Sequence, residues 1–264
     1  MVCKDHPSLA QIILMKYILF LDYDGTLTPI VKKPGLAVLS KSRRNILKKI
    51  SQNPHFLVAV VSGRMLSDLK RRVGIPGIYY AGNHGFEIQG PKIKTVHPKA
   101  RQAIPLLREI KSKLQKKLKG MRGIIVEDKI LTLSLHYRMV RSKDFGRIKR
   151  AFPEIIRPYL KTNKIKITYG KKVFEIRPNV EWNKGRAVLW LIKKLGKGIK
   201  ILPIYIGDDR TDEDAFSALK NWGATIRVGK SKKTHAEHCL KNVKEVYLFI
   251  ESLLTAELVL FSKG

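Results

Sequence analysis

The chain has 264 residues, 44% of them apolar and 8% aromatic, with 53 Lys and Arg against 21 Asp and Glu for a formal net charge of +32. This composition excludes wholesale disorder, and the length allows one large domain or two modest ones with real cores. Two cysteines, Cys3 and Cys239, exclude a disulfide framework and a cysteine-rich zinc site, so a reducing cytoplasm is the expected compartment.

In chain order, an apolar stretch from Leu9 to Leu21 comes first. Lys16 interrupts it and no small-residue cleavage site precedes the acids that follow, so it reads as a core strand rather than a targeting segment. No apolar run reaches the length of a membrane span, and no membrane partner is expected. The stretch ends in "ILFLDYDG", where Asp22 and Asp24 flank a tyrosine just before Gly25. Ser40 can then cap a helix carrying Ile46, Leu47 and Ile50. "FLVAVVSG" reads as a second strand, Met65, Leu66 and Leu69 mark a second helix, and "IYYAGNHG" is a third strand. Strand–helix–strand alternation with strands apolar throughout predicts an open, mostly parallel α/β sheet.

The middle of the chain reads differently. A short hairpin, "FEIQGPKIKTV", is closed by Pro98, and a Lys-rich helix covers about 101–119. Two strands follow, "GIIVED" and "LTLSLHYR", then a helix near 143–161 and the strands "IKITYG" and "KVFEIRP". This order predicts a small α/β domain at 99–178 inserted into a core formed by 1–98 and 179–264. The insert holds 23 Lys and Arg against 6 Asp and Glu. Such a surplus attracts phosphorylated ligands, nucleic acid or anionic surfaces without choosing among them, and a lysine-rich proteome leaves the same mark on solvated faces. Asn183 caps a helix through Leu195 stopped by Gly196, "LPIYIGDD" is a further strand, and "TAELVLFSKG" ends the last helix or trails from it.

In open α/β sheets ligands sit beyond the carboxyl ends of the strands. Here those ends carry Asp22 and Asp24, Ser62, Asn83 and His84, then Asp208 and Asp209. One acid at a strand end is ordinarily a helix cap. Four strand ends loaded together describe a site. Asp22, Asp24 and Asp208 are hard oxygen donors whose mutual repulsion calls for a cation, and Mg²⁺ suits such a set because it keeps several waters and bridges to a substrate phosphate. Lys184 at a helix start and the Ser62 hydroxyl suit phosphate oxygens. Together these residues predict phosphoryl transfer with a carboxylate as nucleophile.

"DYDGT", "VVSGR", the lysine of "WNKGR" and "GDDRTDED" resemble, in order and spacing, the four motifs of the haloacid dehalogenase superfamily of phosphatases. The resemblance implies a Rossmannoid core with an inserted C2-type cap. Within that superfamily "YYAGNHGFEI", "VEDKILTLSLHYR", "VFEIRPNVEWNKG" and "YIGDDRTDEDAF" are similar to the trehalose-6-phosphate phosphatases.

The resemblance implies that Asp22 forms an aspartyl-phosphate and that Asp24, buried near apolar neighbours, protonates the leaving sugar oxygen. It implies Mg²⁺ at the Asp22 carboxylate, the Asp24 main chain and Asp208, with Asp209 and Asp212 holding metal-bound water or Lys184. Ser62 and Lys184 grip the phosphate. Glu127, Lys129, Arg138 and Glu175 fall where the family reads its sugar, although Glu127 and Lys129 also fit a surface ion pair. Asn83 and His84 are ligand candidates, His84 equally a turn histidine, and His136 is assigned a structural role. Arg64 reads either as a phosphate contact or as the partner of a core acid.

The expected partner is a small sugar phosphate, here trehalose 6-phosphate. Sucrose phosphate, mannosyl-phosphoglycerate, a hexose phosphate or phosphomutase chemistry are the alternatives. A trehalose-6-phosphate synthase is expected only as a separate chain. A basic nucleic-acid-binding module is set aside, because no aromatic-interleaved basic motif is present.

Overall fold

The computed structural model describes residues 15–31, 33–170, 172–231 and 233–261; Cys3 and the start of the Leu9–Leu21 run lie outside them. Strand β1 (Met15–Leu21) sends Ile18 and Phe20 into one apolar cluster and Leu19 and Leu21 into another. That is the alternation of a strand buried on both faces. Helix α1 (Lys41–Gln52) follows, with the Ser40 hydroxyl accepting from the Arg43 N–H. Next come β2 (Phe56–Val61), α2 (Leu66–Val73), β3 (Tyr79–Gly82), and the hairpin of β4 (Glu87–Gly90) and β5 (Ile93–Val96). Pro98, read above as closing that hairpin, instead opens helix α3 (Pro98–Gln102), where its missing N–H goes unneeded.

After α3 come α4 (Ile104–Lys117), β6 (Ile125–Asp128), β7 (Leu133–His136), α5 (Phe145–Lys161), β8 (Ile165–Gly170) and β9 (Val173–Pro178). The chain continues through α6 (Lys184–Leu195), β10 (Lys200–Gly207), α7 (Glu213–Leu219), β11 (Ala224–Val228), β12 (His238–Leu240) and α8 (Val243–Phe261). Asn183 caps α6 by accepting from the Arg186 N–H at 2.9 Å. No helix among the described residues is long and apolar enough to cross a membrane.

Two compact units result, one taking the chain up to Lys94 and again from Trp182, the other Thr95–Glu181. In the first, strands pair in the order β12-β11-β10-β1-β2-β3-β4-β5. Every pairing from β12 to β3 is parallel, and β4 turns antiparallel against β3. Leu21 lies opposite both Ile206 and Val60. The residues leaving the carboxyl ends of β1, β2 and β10 therefore emerge side by side. In the second unit four antiparallel strands pair as β6-β7-β9-β8. One face of that sheet packs on α4 and α5 through Leu107, Ile110, Leu114, Leu133, Leu135, Ile148, Phe152 and Ile176.

Candidate active site

Strand parity decides the fate of the first two acids. Asp22 continues the Ile18–Phe20 side of β1, the side on which α6 packs through Ala187, Val188 and Leu191. Lys184, in the first turn of α6, reaches it from there. Its ammonium donates to Asp22 Oδ1 at 2.6 Å and to Asp212 Oδ1 at 2.7 Å, with the lysine side chain only 2% exposed. Past Asp22 the backbone turns, Leu27 and Thr28 donating back to the Tyr23 carbonyl. The turn brings Asp24 to Arg64, whose guanidinium lies over the Tyr23 ring. Gly25 permits this with φ +95°, and a Cβ there would collide with the Asp208 carboxylate.

Asp24 is not buried among apolar neighbours, as the sequence had suggested. Its side chain is 40% exposed and holds a forked ion pair, Arg64 Nε to Oδ2 and Nη2 to Oδ1, each at 2.6 Å. β1 ends at Leu21 and the chain has already turned at Tyr23, so Asp24 lies beyond the apolar enclosure of the strand. Arg64 is thus the partner of an acid.

Asp212 is an anchor. Oδ1 accepts from Lys184 and from the buried Tyr205 hydroxyl, both at 2.7 Å, and Oδ2 accepts from the Asp208 and Asp209 N–H groups at 3.0 Å. These four bonds fill the four lone-pair sites of a carboxylate. Ligand oxygens of Asp22, Asp208 and Asp212 lie within 4.8 Å of one another, but Asp212 has no lone pair left for an ion. Asp208 does: its buried Oδ1 has no hydrogen-bond partner among the described residues. Arg227 fixes that loop from behind, donating Nη2 to the Asp208 carbonyl at 2.6 Å. Asp209 instead accepts from the Thr211 N–H and hydroxyl, both at 2.7 Å.

Burial pushes the Asp22 carboxyl well above its ordinary range, with Lys184 pulling against it. Burial also raises Asp212 against the same lysine. Asp208 is pushed up to about 8 by burial, then by Asp209 and Asp212. Lys184 goes upward as well, the two carboxylates outweighing the burial that would discharge it. One ammonium among three carboxylates leaves surplus negative charge beside an unpartnered oxygen. A hard divalent cation fits that donor set.

Ser62 is buried at the end of β2, its Oγ accepting from the Arg64 N–H at 3.2 Å. Beside it, Asn83 and His84 both hold left-handed conformations, φ +49° and +57°, which a non-glycine residue rarely adopts. The turn lays the His84 ring on Gly63, where a Cβ would lie 2.7 Å from ring atoms. The Asn83 amide donates to Glu87 at 2.6 Å.

In the second unit, Glu127, Ser134, Glu175 and Thr168 stand in one row across the four strands, on the face away from the helices. Lys129 donates to Glu175 at 3.0 Å and Glu127 pairs with His136 Nε2 at 2.7 Å. Glu127, Lys129 and Glu175 are thus brought to one face, and the His136 ring has a partner there. Arg138 is exposed two residues beyond β7.

Tyr205 and Arg227 escaped the sequence reading. Tyr205 sits three residues before Asp208 on a strand that reads as purely apolar, and only its buried hydroxyl betrays it. Arg227 had no signal, since it holds the site through the main-chain carbonyl of Asp208, while its carboxylate partner is Glu213 at 2.8 Å.

Comparison with known proteins agrees with this geometry. A haloacid dehalogenase-like hydrolase from Bacteroides thetaiotaomicron superposes with a TM-score of 0.62 at 17% identity, covering 90% of this chain and 99% of that one. The C-terminal domain of the Candida albicans trehalose-6-phosphate phosphatase superposes with a TM-score of 0.77 at 24% identity, covering 96% and 99%. The fold is that of a haloacid dehalogenase-like hydrolase, a mostly parallel Rossmannoid core with an α/β insertion. The profile of the trehalose-phosphatase family matches residues 20–245. The probable trehalose-phosphate phosphatase D of Arabidopsis thaliana is 38% identical over 251 residues, 90% of this chain and 67% of that one. The chain belongs to the trehalose-phosphatase family and is a phosphatase.

Proposed function

We propose that this enzyme hydrolyses trehalose 6-phosphate to trehalose and inorganic phosphate through an aspartyl-phosphate on Asp22. The observation that carries the reading is the Lys184 ammonium 2.6 Å from Asp22 Oδ1, with the second Asp22 oxygen left for attack. In the first step that oxygen bonds to phosphorus as the bond from phosphorus to the sugar oxygen breaks. The electron pair leaves with the sugar oxygen, which takes a proton from the Asp24 carboxyl. In the second step water attacks phosphorus, Asp24 takes its proton, and Asp22 departs as the carboxylate. Ser62 and Lys184 hold the phosphoryl oxygens, and Lys184 screens Asp22 from the incoming dianion. His84 and Asn83 line the same strand ends.

Mg²⁺ would be held by Asp22 and Asp208, where it neutralises charge on the transferring group. The Asp24 carbonyl belongs to the same proposed set, with Asp212 and Asp209 supporting it. Glu127, Lys129 and Glu175 would accept from and donate to sugar hydroxyls, with Arg138 at the margin of that face. A cytoplasmic setting suits the exposed free thiol of Cys239.

The test is phosphate release from a panel of sugar phosphates, with and without Mg²⁺, by the parent enzyme and Asp22→Asn. Trehalose 6-phosphate should be the best substrate, chelator should silence it, and Asp22→Asn should release none. Better turnover of another sugar phosphate would overturn the substrate, and an active Asp22→Asn would overturn the covalent path.

A further inference from the structure

Arg64 has more to do than neutralise an acid. It is 7% exposed and most of its donors are already assigned. Nε and Nη2 fork onto Asp24 at 2.6 Å each, Nη2 also donates to the Pro34 carbonyl at 2.9 Å, and Nη1 donates to Asp68 at 3.0 Å. That uses four of the five N–H groups of a guanidinium. Its plane also lies over the Tyr23 ring, 5.1 Å from the centroid, and Tyr23 is itself pinned by its hydroxyl to the Ala37 carbonyl at 2.9 Å. Asp68 in turn accepts from Arg71 at 2.6 Å and Arg72 at 2.7 Å, and Arg72 reaches the Ala37 carbonyl at 2.9 Å. The guanidinium therefore faces inward, clamped by α2, by the segment 34–37 and by an aromatic face. It is built to be immobile, and what it holds is Asp24.

We propose that Arg64 is the positioning residue for the acid–base carboxyl, fixing the rotation of Asp24 so that a lone pair outside the fork faces the leaving oxygen. The inference rests on the reading of Asp24 as the group that protonates the sugar oxygen. A fork of two coplanar N–H bonds locks a carboxylate about its last torsion, which a single point charge cannot do. Without the fork, an Asp24 that is 40% exposed would rotate into water. Proton delivery would suffer, while attack by Asp22, held separately by Lys184, would not.

The consequence is selective by leaving group. A sugar alkoxide must be protonated as it departs, whereas 2,4-dinitrophenolate needs no proton. The parameter to compare is kcat/KM, which covers events up to formation of the phosphoenzyme. Arg64→Met should lower kcat/KM for trehalose 6-phosphate by about 10²-fold, the low end of a general-acid contribution. It should change kcat/KM for 2,4-dinitrophenyl phosphate by about threefold or less. Arg64→Lys, which keeps the buried charge but not the fork, should recover only part of the loss. It carries the same comparison if the Met variant does not fold by circular dichroism.

The decisive measurement is the double variant. If Arg64 acts through Asp24, adding Arg64→Met to Asp24→Asn should lower kcat/KM for the sugar phosphate by no more than about twofold further. An undiminished loss in the Asp24→Asn background would overturn the proposal, and so would equal losses on the two phosphates from Arg64→Met alone. Asp24→Asn measured alone tells the two failures apart. Equal losses on both phosphates there would overturn the acid–base reading and this inference with it. A selective loss from Asp24→Asn without one from Arg64→Met would overturn the inference only.

Discussion

Replacing Lys184 with methionine removes a buried cation from a cluster of acids. The ammonium lies 2.6 Å from Asp22 and 2.7 Å from Asp212, on a side chain 2% exposed. Methionine fills most of the volume, so the loss is of charge and hydrogen bonds. Asp212 retains Tyr205 and two backbone N–H groups, while Asp22 becomes an unpaired carboxylate in the interior. Breaking a buried pair from one side is worth about 3–5 kcal/mol, a large part of the roughly 5–15 kcal/mol that holds a domain together.

The cluster can escape only by protonation, which gives the prediction a sign. Burial already raises the Asp22 and Asp212 carboxyls, and Lys184 is the opposing pull on both; without it they rise further. A carboxyl whose folded pKa lies above its unfolded value adds stability at low pH, and that contribution fades as pH climbs through the folded pKa. The deficit of Lys184→Met relative to the parent should therefore be about 3–5 kcal/mol at pH 8. It should shrink by up to about 1.4 kcal/mol per pH unit for each extra proton bound as the pH falls toward 5. Urea unfolding of both proteins in chelator, at four pH values, measures this directly. A deficit below about 1 kcal/mol at pH 8, the range of an exposed pair, would refute the reasoning. So would one independent of pH.

Three other outcomes follow from the same geometry. Tyr205→Phe keeps the ring against Phe20 and Phe216 and deletes one bond to a carboxylate, so urea unfolding should show a loss of about 1.5–3 kcal/mol; no loss would mean that Asp212 does not depend on that hydroxyl. Gly25→Ala drives a Cβ into the Asp208 carboxylate at a left-handed position; the protein should fold, but the rise in melting temperature on adding Mg²⁺ should disappear, and an unchanged rise would separate Asp208 from the ion. Glu175→Ala removes the acceptor of Lys129 at 3.0 Å and should cut kcat/KM for trehalose 6-phosphate about 10²-fold with little change for an aryl phosphate; equal losses on both would make Glu175 a structural residue.

Much of the sheet was legible because a strand buried on both faces leaves a continuous apolar run, and helices betray themselves by caps such as Ser40 and Asn183. The proline at 98 misled because it both ends a hairpin and starts a helix well, and nothing local decides which. The polar strand ends were legible as a group for the same reason the strands were: each acid or serine interrupts a run at the residue where the sheet stops. What each of those residues does there was not legible.

Asp22, Asp24, Asp208 and Asp212 are chemically one residue four times over, yet each meets a different set of donors. Asp22 shares a lysine 162 positions away, Asp24 is forked by an arginine 40 positions away, and Asp212 is saturated by a lysine, a tyrosine and two backbone N–H groups. Asp208 alone keeps a buried oxygen with no partner among the described residues. A carboxylate accepts at four places, so its role is set by how many of them the fold fills. Counting filled places separates the anchor, Asp212, from the residues left with capacity to act. Among those, Asp22 is shielded from water beside a cation while Asp24 stays open to it, and that contrast is what an attacking group and a proton carrier each require.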